Sequence, residues 1–344
     1  MKPLVMTAYG MSTALGLNAA ASCAAMMAGI SGAARGELWD AESGTTLNVC
    51  RAPLRQWWHG IGKLGALAAA AVQDCASMAG ITDLSAVPIL LGCAEPTRPC
   101  PLAPLDSALL TAMYTELNAA PHPQSRLMPF GQVSGVAAFD IARDLLAKGL
   151  AQHCIVAGVD SYLHQQVMDA YLRDRRVLCE SNSNGFIPGE AAGAVLLSLD
   201  MPQQPHLQIL GWGGGRETGT INEDRPMTGR GMVTAMEAAF DRSRSDIYAT
   251  HYTLNDLNGE HYKFKEATLA VSRLMRRQHE APLFDTWHPS EWIGEVGAAI
   301  VPCCLGYQLY TSVRGAVPGP QALGHFGADG GERAAYVARF VGDP

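Results

Sequence analysis

The chain has 344 residues, which is enough for one large core or two ordinary domains. Apolar residues make up 48% of it and charged residues 17%, a balance typical of a globular protein. The formal net charge of −7 leaves no basic field for nucleic acid or an anionic membrane surface, so we expect neither as a partner. The basic clusters Arg173–Arg176 and Arg273–Arg277 predict solvated helix faces.

The amino terminus has some features of a secretory leader, because Lys2 precedes an alanine-rich run. A leader needs a continuous apolar stretch, which Gly10, Gly16 and Asn18 interrupt. The pattern instead predicts a strand (PLVMTAY), a turn and a helix over Asn18–Ala28. With no long apolar segment and nine cysteines that lack CxxC spacing, we expect a cytoplasmic protein with free thiols.

Strand-like apolar runs alternate with stretches of helical period, which predicts an α/β fold. The predicted strands are Leu4–Ala8, Val87–Leu91, Cys154–Gly158, Ala192–Leu199, Leu207–Gly211, Ile247–Thr253 and Tyr336–Val341. The predicted helices are Leu64–Met78, Ser107–Leu117, Gly135–Lys148, Val233–Arg242, Phe264–Arg277 and Trp292–Tyr310. We interpret the proline-rich segment Asp200–His206 as the joint between an N-terminal half (1–203) and a C-terminal half (204–344) of a single domain.

A glycine cluster, GWGGG at Gly211–Gly215, has some likeness to a phosphate-binding loop. The G-x-G-x-x-G spacing fails, and a helix does not follow at once. The cluster therefore predicts a flexible turn after a strand.

Two longer motifs are more specific: CIVAGVDSYL at Cys154–Leu163 and, about thirty residues on, GFIPGEAAGAVLLSL at Gly185–Leu199. With the opening TAYGMSTALGLNAAASCAAMMAGISG and the ending GHFGADGGERAAYVARFV, they give a chain that resembles the ketoacyl synthases of the thiolase superfamily. The resemblance implies a thiolase-like α/β fold, a pseudo-duplicated five-layered α-β-α-β-α sandwich.

The resemblance also implies an active site with one cysteine and two histidines, and none of the three is kept. The nucleophile motif, Cys-x-x-Gly, matches the stretch that ends at Gly135 and places Gln132 at the cysteine position. An amide cannot act as an acyl nucleophile, so covalent catalysis is lost there. Asn258 and Glu295 occupy the two histidine positions, each beside a retained glycine. We therefore expect no intact catalytic residue, no metal and no cofactor.

The residues beside these three positions are predicted to line the former pocket; they are Ser134, Gly135, Gly259, Glu260 and Gly294. Glu295 lies in an apolar stretch, and a buried carboxylate must be paired, hydrogen-bonded or protonated. We therefore predict that it contacts the Asn258–Gly259 loop or backbone N–H groups near Gln132.

Three functions fit the pattern. The first is an inactive scaffold or adaptor, since the chain resembles stand-alone thiolase-like proteins of type VI secretion effector loci and could assist effector loading or folding. The second is a subunit like a chain length factor, which carries glutamine for cysteine and pairs with an active ketosynthase. The third is an acyl-thioester enzyme with a rearranged site, although Ser134 lies one residue away from the place that a G-x-S-x-G elbow needs.

The assembly expected from the resemblance is a homodimer. The strand that follows the nucleophile helix, His153–Gly158, is apolar and is predicted to pair with its twin across a two-fold axis. On this interpretation a charge at Ile155 breaks the dimer.

Overall fold

The computed structural model describes residues 2–55, 59–101, 107–275 and 284–342. Twelve strands and nine α-helices lie within these ranges. The strands are β1 (Leu4–Ser12), β2 (Ala33–Asp40), β3 (Thr45–Cys50), β4 (Ile89–Gly92), β5 (Arg126–Met128), β6 (Cys154–Ser161), β7 (Glu190–Ser198), β8 (His206–Arg216), β9 (Tyr252–Asn255), β10 (Asp285–Trp287), β11 (Gln321–Gly327) and β12 (Glu332–Val341). The helices are α1 (Ala19–Met27), α2 (Ile61–Ala79), α3 (Ser107–Leu117), α4 (Ser134–Ala147), α5 (Gln165–Arg173), α6 (Arg230–Ser243), α7 (His261–Leu274), α8 (Ser290–Ile293) and α9 (Ile300–Ser312).

Ten strands form one mixed sheet in the order β10-β9-β11-β12-β8-β1-β7-β6-β4-β5, and β2 and β3 form a separate hairpin. Each half of the chain contributes five neighbouring strands to the large sheet. In both sets the fifth strand along the chain, β7 or β12, is antiparallel to both of its neighbours. The two sets meet where Leu4–Met6 of β1 pairs with Leu207–Ile209 of β8.

Helices cover the sheet in layers that repeat the same symmetry. The helices α2 and α3 pack outside the first set of strands, and α6 and α7 pack outside the second set. Between the sets lie α4, which contacts β6 and β12, and α9, which contacts β7 and β9. Every residue of α9 is buried, as a helix enclosed between the two sets of strands requires. The five-layered sandwich predicted from the resemblance is therefore confirmed.

Two predicted elements differ from the structure because glycines act through close packing and unusual backbone angles. The GWGGG run is part of β8 and not a turn. Its glycines allow the strand to pack closely on α6, since a Cβ at Gly213 or Gly215 would overlap the backbone carbonyls of Ala235 and Gly231. The predicted helix Trp292–Tyr310 is broken after α8 at Gly294, whose φ of +77° ends the helical path. The chain then makes a 3₁₀ turn over Gly297–Ala299 before α9 begins.

Smaller differences occur at element ends. The predicted strand Ile247–Thr253 is a 3₁₀ turn over Ile247–Ala249 followed by β9. The turn predicted at Gly10 is absent because β1 continues to Ser12. The predicted helix Phe264–Arg277 begins earlier, as α7, and the last two residues of that prediction lie outside the described residues.

The predicted dimer strand is not an edge of the sheet. Residues Cys154–Gly158 belong to β6, which pairs with β7 on one side and with β4 on the other. Ile155 is completely buried, so a charge there disrupts the core and not an interface. The prediction was wrong because sequence periodicity identifies a buried strand without showing which strands flank it. The strands at the two ends of the sheet order are β5 and β10.

Candidate functional site

Gln132, which the resemblance implies at the nucleophile position, lies in a 3₁₀ turn over Gly131–Val133 that leads directly into α4. Its side chain is only 3% exposed. The first turn of α4 is fixed by Ser134, whose Oγ donates to the Met128 carbonyl at 2.8 Å and accepts from the Phe130 N–H at 3.1 Å. The Gln132 amide is therefore held at a helix N-terminus, where a nucleophile would need to be.

Gln132 contacts a carboxylate from the other half of the chain. Its Nε2 lies 3.3 Å from Glu295 Oε1 and 3.3 Å from the Tyr162 hydroxyl. Glu295 Oε1 also accepts the backbone N–H of Gly297 at 3.0 Å. The motif GFIPGE holds this segment in place, because the Glu295 N–H donates to the Ile187 carbonyl at 2.8 Å.

Asn258 completes the contact at the second oxygen of the same carboxylate. Its Nδ2 donates to Glu295 Oε2 at 2.5 Å and to Glu260 Oε2 at 3.2 Å. The structure thus brings Gln132, Asn258 and Glu295 together as one hydrogen-bonded group. The contacts predicted for Glu295 are present, although they come from the side chains of Asn258 and Gln132 as well as from a backbone N–H.

A buried lysine compensates part of the charge of this group. Lys263 Nζ lies 2.7 Å from Asp256 Oδ2 and 3.8 Å from Glu295 Oε2. Burial raises the pKa of Glu295, while Lys263, Asn258 and the Gly297 N–H oppose that rise, and the net shift is upward. Burial alone lowers the pKa of Lys263, but Asp256 and Glu295 outweigh it and raise that pKa above its usual value.

A second buried cluster adjoins the first through Glu260. The guanidinium of Arg176 binds both oxygens of Glu260 at 2.7 and 3.0 Å, and both oxygens of Asp329 at 2.6 and 3.0 Å. The Tyr262 hydroxyl donates to Asp329 at 3.1 Å. Arg176 is 6% exposed, so its assignment to a solvated helix face was wrong. We name the group Arg176, Glu260, Asp329 and Tyr262 the arginine clasp.

The residues predicted to line a pocket make contacts inside the fold. Gly135 allows α4 to approach α9, since a Cβ there would lie 2.6 Å from Val301 Cγ1. Gly259 and Gly294 both have positive φ and face the carbonyls of Gly185 and Ile187. Glu260 is held by the arginine clasp. These contacts explain the residue types without a ligand, and pocket lining stays a prediction.

Several residues of this region were missed by sequence reasoning. Arg176 lies 84 residues from Glu260 and 153 from Asp329, so no local pattern could connect them. His325, in the motif GHFGADGG, is buried on β11, and burial lowers its pKa to about 4, which keeps the imidazole neutral at pH 7. Asp160, in CIVAGVDSYL, was missed as well. The only signal in the sequence for Asp160 and His325 was their placement within the motifs that carry the resemblance.

Acidification is expected to weaken the arginine clasp. Burial opposes ionisation of Asp329, but Arg176 outweighs it and lowers the pKa from 3.8 to about 2. A folded-state pKa below the unfolded value gives stabilisation that is complete above about pH 4 and is lost as the pH falls through 2. Urea unfolding of the wild type and Asp329→Asn between pH 2 and 5 should show a difference in unfolding free energy that shrinks with acidification. A difference that is constant across this range would contradict the assignment.

The described residues include no metal-binding cluster, and most of the thiols are buried. All nine cysteines are free, and seven of them are buried. Within residues 2–55, 59–101, 107–275 and 284–342, no three His, Cys, Asp or Glu side chains are placed to hold a metal ion. Over the same ranges, no helix combines the length and apolarity needed to cross a bilayer.

Residues 132–200 match the family model for the N-terminal domain of beta-ketoacyl synthase. A ketosynthase in complex with its chain length factor from Xenorhabdus doucetiae has a TM-score of 0.74 and 15% identity, covering 99% of this chain and 98% of that one. The ishigamide ketosynthase/chain length factor has a TM-score of 0.68 and 18% identity, covering 99% of this chain and 100% of that one. A beta-ketoacyl synthase from Burkholderia phymatum has a TM-score of 0.71 and 15% identity, covering 99% of this chain and 100% of that one. None of the curated proteins matches the chain in sequence. The structural likeness establishes a thiolase-like ketosynthase fold.

Proposed function

We propose that this protein is a non-condensing subunit of ketosynthase fold that assembles with an active ketosynthase, in the manner of a chain length factor. The observation that carries the proposal is the Gln132–Glu295 contact. Condensation needs a thiolate where Gln132 lies and imidazoles where Asn258 and Glu295 lie. The three replacements instead satisfy one another's hydrogen bonds, which gives a stable polar centre without a nucleophile.

The comparisons support this interpretation over the two alternatives. Structures similar along the whole chain include ketosynthases bound to their chain length factors. No comparison favours an adaptor of type VI secretion. A rearranged enzyme requires a new nucleophile, and the hydroxyl of Ser134 is buried with both hydrogen bonds directed to backbone groups.

The edge of the sheet at β5 is the surface that we assign to the partner. It replaces the interior strand β6 that the sequence indicated. On its inner side β5 pairs in parallel with β4, and it is the last strand of the sheet order on this side. Phe130 lies two residues beyond the end of β5 and is 43% exposed, which is unusual for a large aromatic side chain. An open strand edge beside an exposed aromatic residue is a common feature of protein interfaces.

Replacing Phe130 by glutamate is expected to weaken assembly at least ten-fold without unfolding the chain, because a charge would face the partner at a desolvated contact. The measurement is co-purification with a co-expressed ketosynthase from the same locus, with light scattering of the chain alone to reveal homodimers. Met201→Glu is the matched control, since Met201 is an exposed apolar residue (59%) away from this edge. Equal loss of assembly in both variants, or none in either, would place the interface elsewhere.

The chain alone is expected to release no CO₂ from a malonyl carrier protein. Gln132 offers no thiolate, and the carboxylate at position 295 cannot replace an imidazole that hydrogen-bonds a thioester oxygen. The assay compares the wild type, Gln132→Ala and an active ketosynthase as the positive control. CO₂ release that is present in the wild type and lost in Gln132→Ala would show a surviving enzyme.

A further inference from the structure

A buried ion triad lies directly beside the polar centre. The guanidinium of Arg98 binds Asp160 Oδ1 at 2.5 Å through Nη1 and Glu95 Oε2 at 3.0 Å through Nη2. Arg98 is 5% exposed, and both carboxylates are also buried. A buried triad of this kind is retained only when its geometry satisfies the charges, so Arg98 is fixed in position.

Two glycines bring this triad against the polar centre. Gly131 has a φ of +55°, and a Cβ there would lie 2.3 Å from Glu95 Oε2. Gly297 has a φ of +48°, and a Cβ there would lie 3.0 Å from Arg98 Nη2. Gly131 directly precedes Gln132, and Gly297 lies two residues after Glu295, so the triad packs against backbone that carries no side chain at these two positions.

Tyr162 joins the two groups on a third side. Its ring lies beneath the guanidinium, with 4.2 Å from Arg98 Cζ to the ring centroid. Its hydroxyl lies 3.3 Å from Gln132 Nε2. A cation–π contact that is shielded from water contributes about 2 kcal/mol, and this one holds the Arg98 guanidinium and the Tyr162 ring together.

On its other side Arg98 borders a small, partly open cavity. The walls include apolar side chains of α2 and β6 together with His59, Lys63, Cys100 and His164. The space in it that water can occupy is about 30 Å³, roughly the share of one molecule in liquid water.

We propose that Arg98 is a plug that separates this cavity from the polar centre, and that its side chain excludes ligands from the route between them. The inference extends the proposed function, because it explains how a subunit of this fold keeps an acyl chain out of its own centre. It makes no use of a partner, so its failure would leave the assembly proposal intact.

The test uses a thiol as a reporter of access. Cys100→Ser and Cys179→Ser remove the two cysteines that are not buried, and Gln132→Cys places a thiol at the centre. We expect methyl methanethiosulfonate to modify this introduced thiol at least ten-fold faster when Arg98→Ala is added. Methylguanidinium, which replaces the lost group, should slow the modification again.

An internal control separates opening of the plug from unfolding. Cys304 is completely buried in α9, so its modification reports loss of structure. Arg175→Ala is the matched surface control, because the Arg175 side chain is 72% exposed. Faster modification at position 132 with Cys304 still protected supports the plug. Equal rates with and without Arg98, or modification that rises only together with that of Cys304, would overturn it.

Discussion

Replacing Arg176 by methionine is expected to lower the free energy of unfolding by about 3–5 kcal/mol, because it leaves buried carboxylates without their partner. The Arg176 guanidinium binds both carboxylate oxygens of Glu260 and both of Asp329. Arg176 lies in the first half of the chain, whereas both acids lie in the second. Methionine keeps much of the apolar stem and removes the charge. The loss therefore reports the ion pairs and not a cavity.

The measurement is urea unfolding at pH 7, followed by far-UV circular dichroism. Arg175→Met is the control, since the Arg175 side chain is exposed and its ion pair with Glu42 spans 3.8 Å at the surface. Such a surface pair contributes about 0–1 kcal/mol, so the control should unfold nearly as the wild type does. Arg176→Met with wild-type stability would show that the arginine clasp does not hold the halves together.

Replacing Glu295 by leucine is expected to cost about 3 kcal/mol. The side chain accepts hydrogen bonds from Asn258, Gln132 and the Gly297 N–H, and leucine removes the acceptor of all three bonds in a buried place. It also removes one of the two carboxylates near Lys263.

The conservative variant Glu295→Gln separates hydrogen bonding from charge. Its amide oxygen can still accept a hydrogen bond, so we expect less than half of the loss seen in Glu295→Leu. Because burial raises the pKa of Glu295 in the folded protein, the protonated carboxyl stabilises the fold. That stabilisation is complete below about pH 4.5, the usual pKa of the group, and is lost as the pH rises. The wild type therefore gains stability relative to Glu295→Gln as the pH falls, so the loss caused by Glu295→Gln should be largest in mild acid. Unchanged thermal stability in Glu295→Leu would remove the structural role of this centre.

Local sequence patterns predicted the elements whose causes are local. The helix predicted over Asn18–Ala28 is present as α1, and Asn18 caps it by accepting the Ala21 N–H at 2.8 Å. The assignment of Gln132 to the nucleophile position stays a prediction, and the structure places Gln132 in the turn that leads into α4. The division at Asp200–His206 stays a prediction, supported by the repeated strand order on its two sides.

Features that depend on distant residues were not readable. Arg176 looked like one of several surface arginines, since its acidic partners lie beyond the reach of any helical or strand period. The position of β6 inside the sheet depends on pairing with β4 and β7, which its own apolar residues do not specify. The glycines of β8 are explained by the α6 backbone against which they pack, and that contact also lies outside the local sequence.

The enclosure of α9 has a consequence for synthesis of the chain. Its residues fill the space beside β1 and β7, yet Ile300 leaves the ribosome roughly 100 residues after β7 ends at Ser198. At about 5–20 residues per second, the apolar inner face of the first half waits for about 5–20 s without its covering helix. We therefore expect the nascent first half to be the species most prone to aggregation during synthesis.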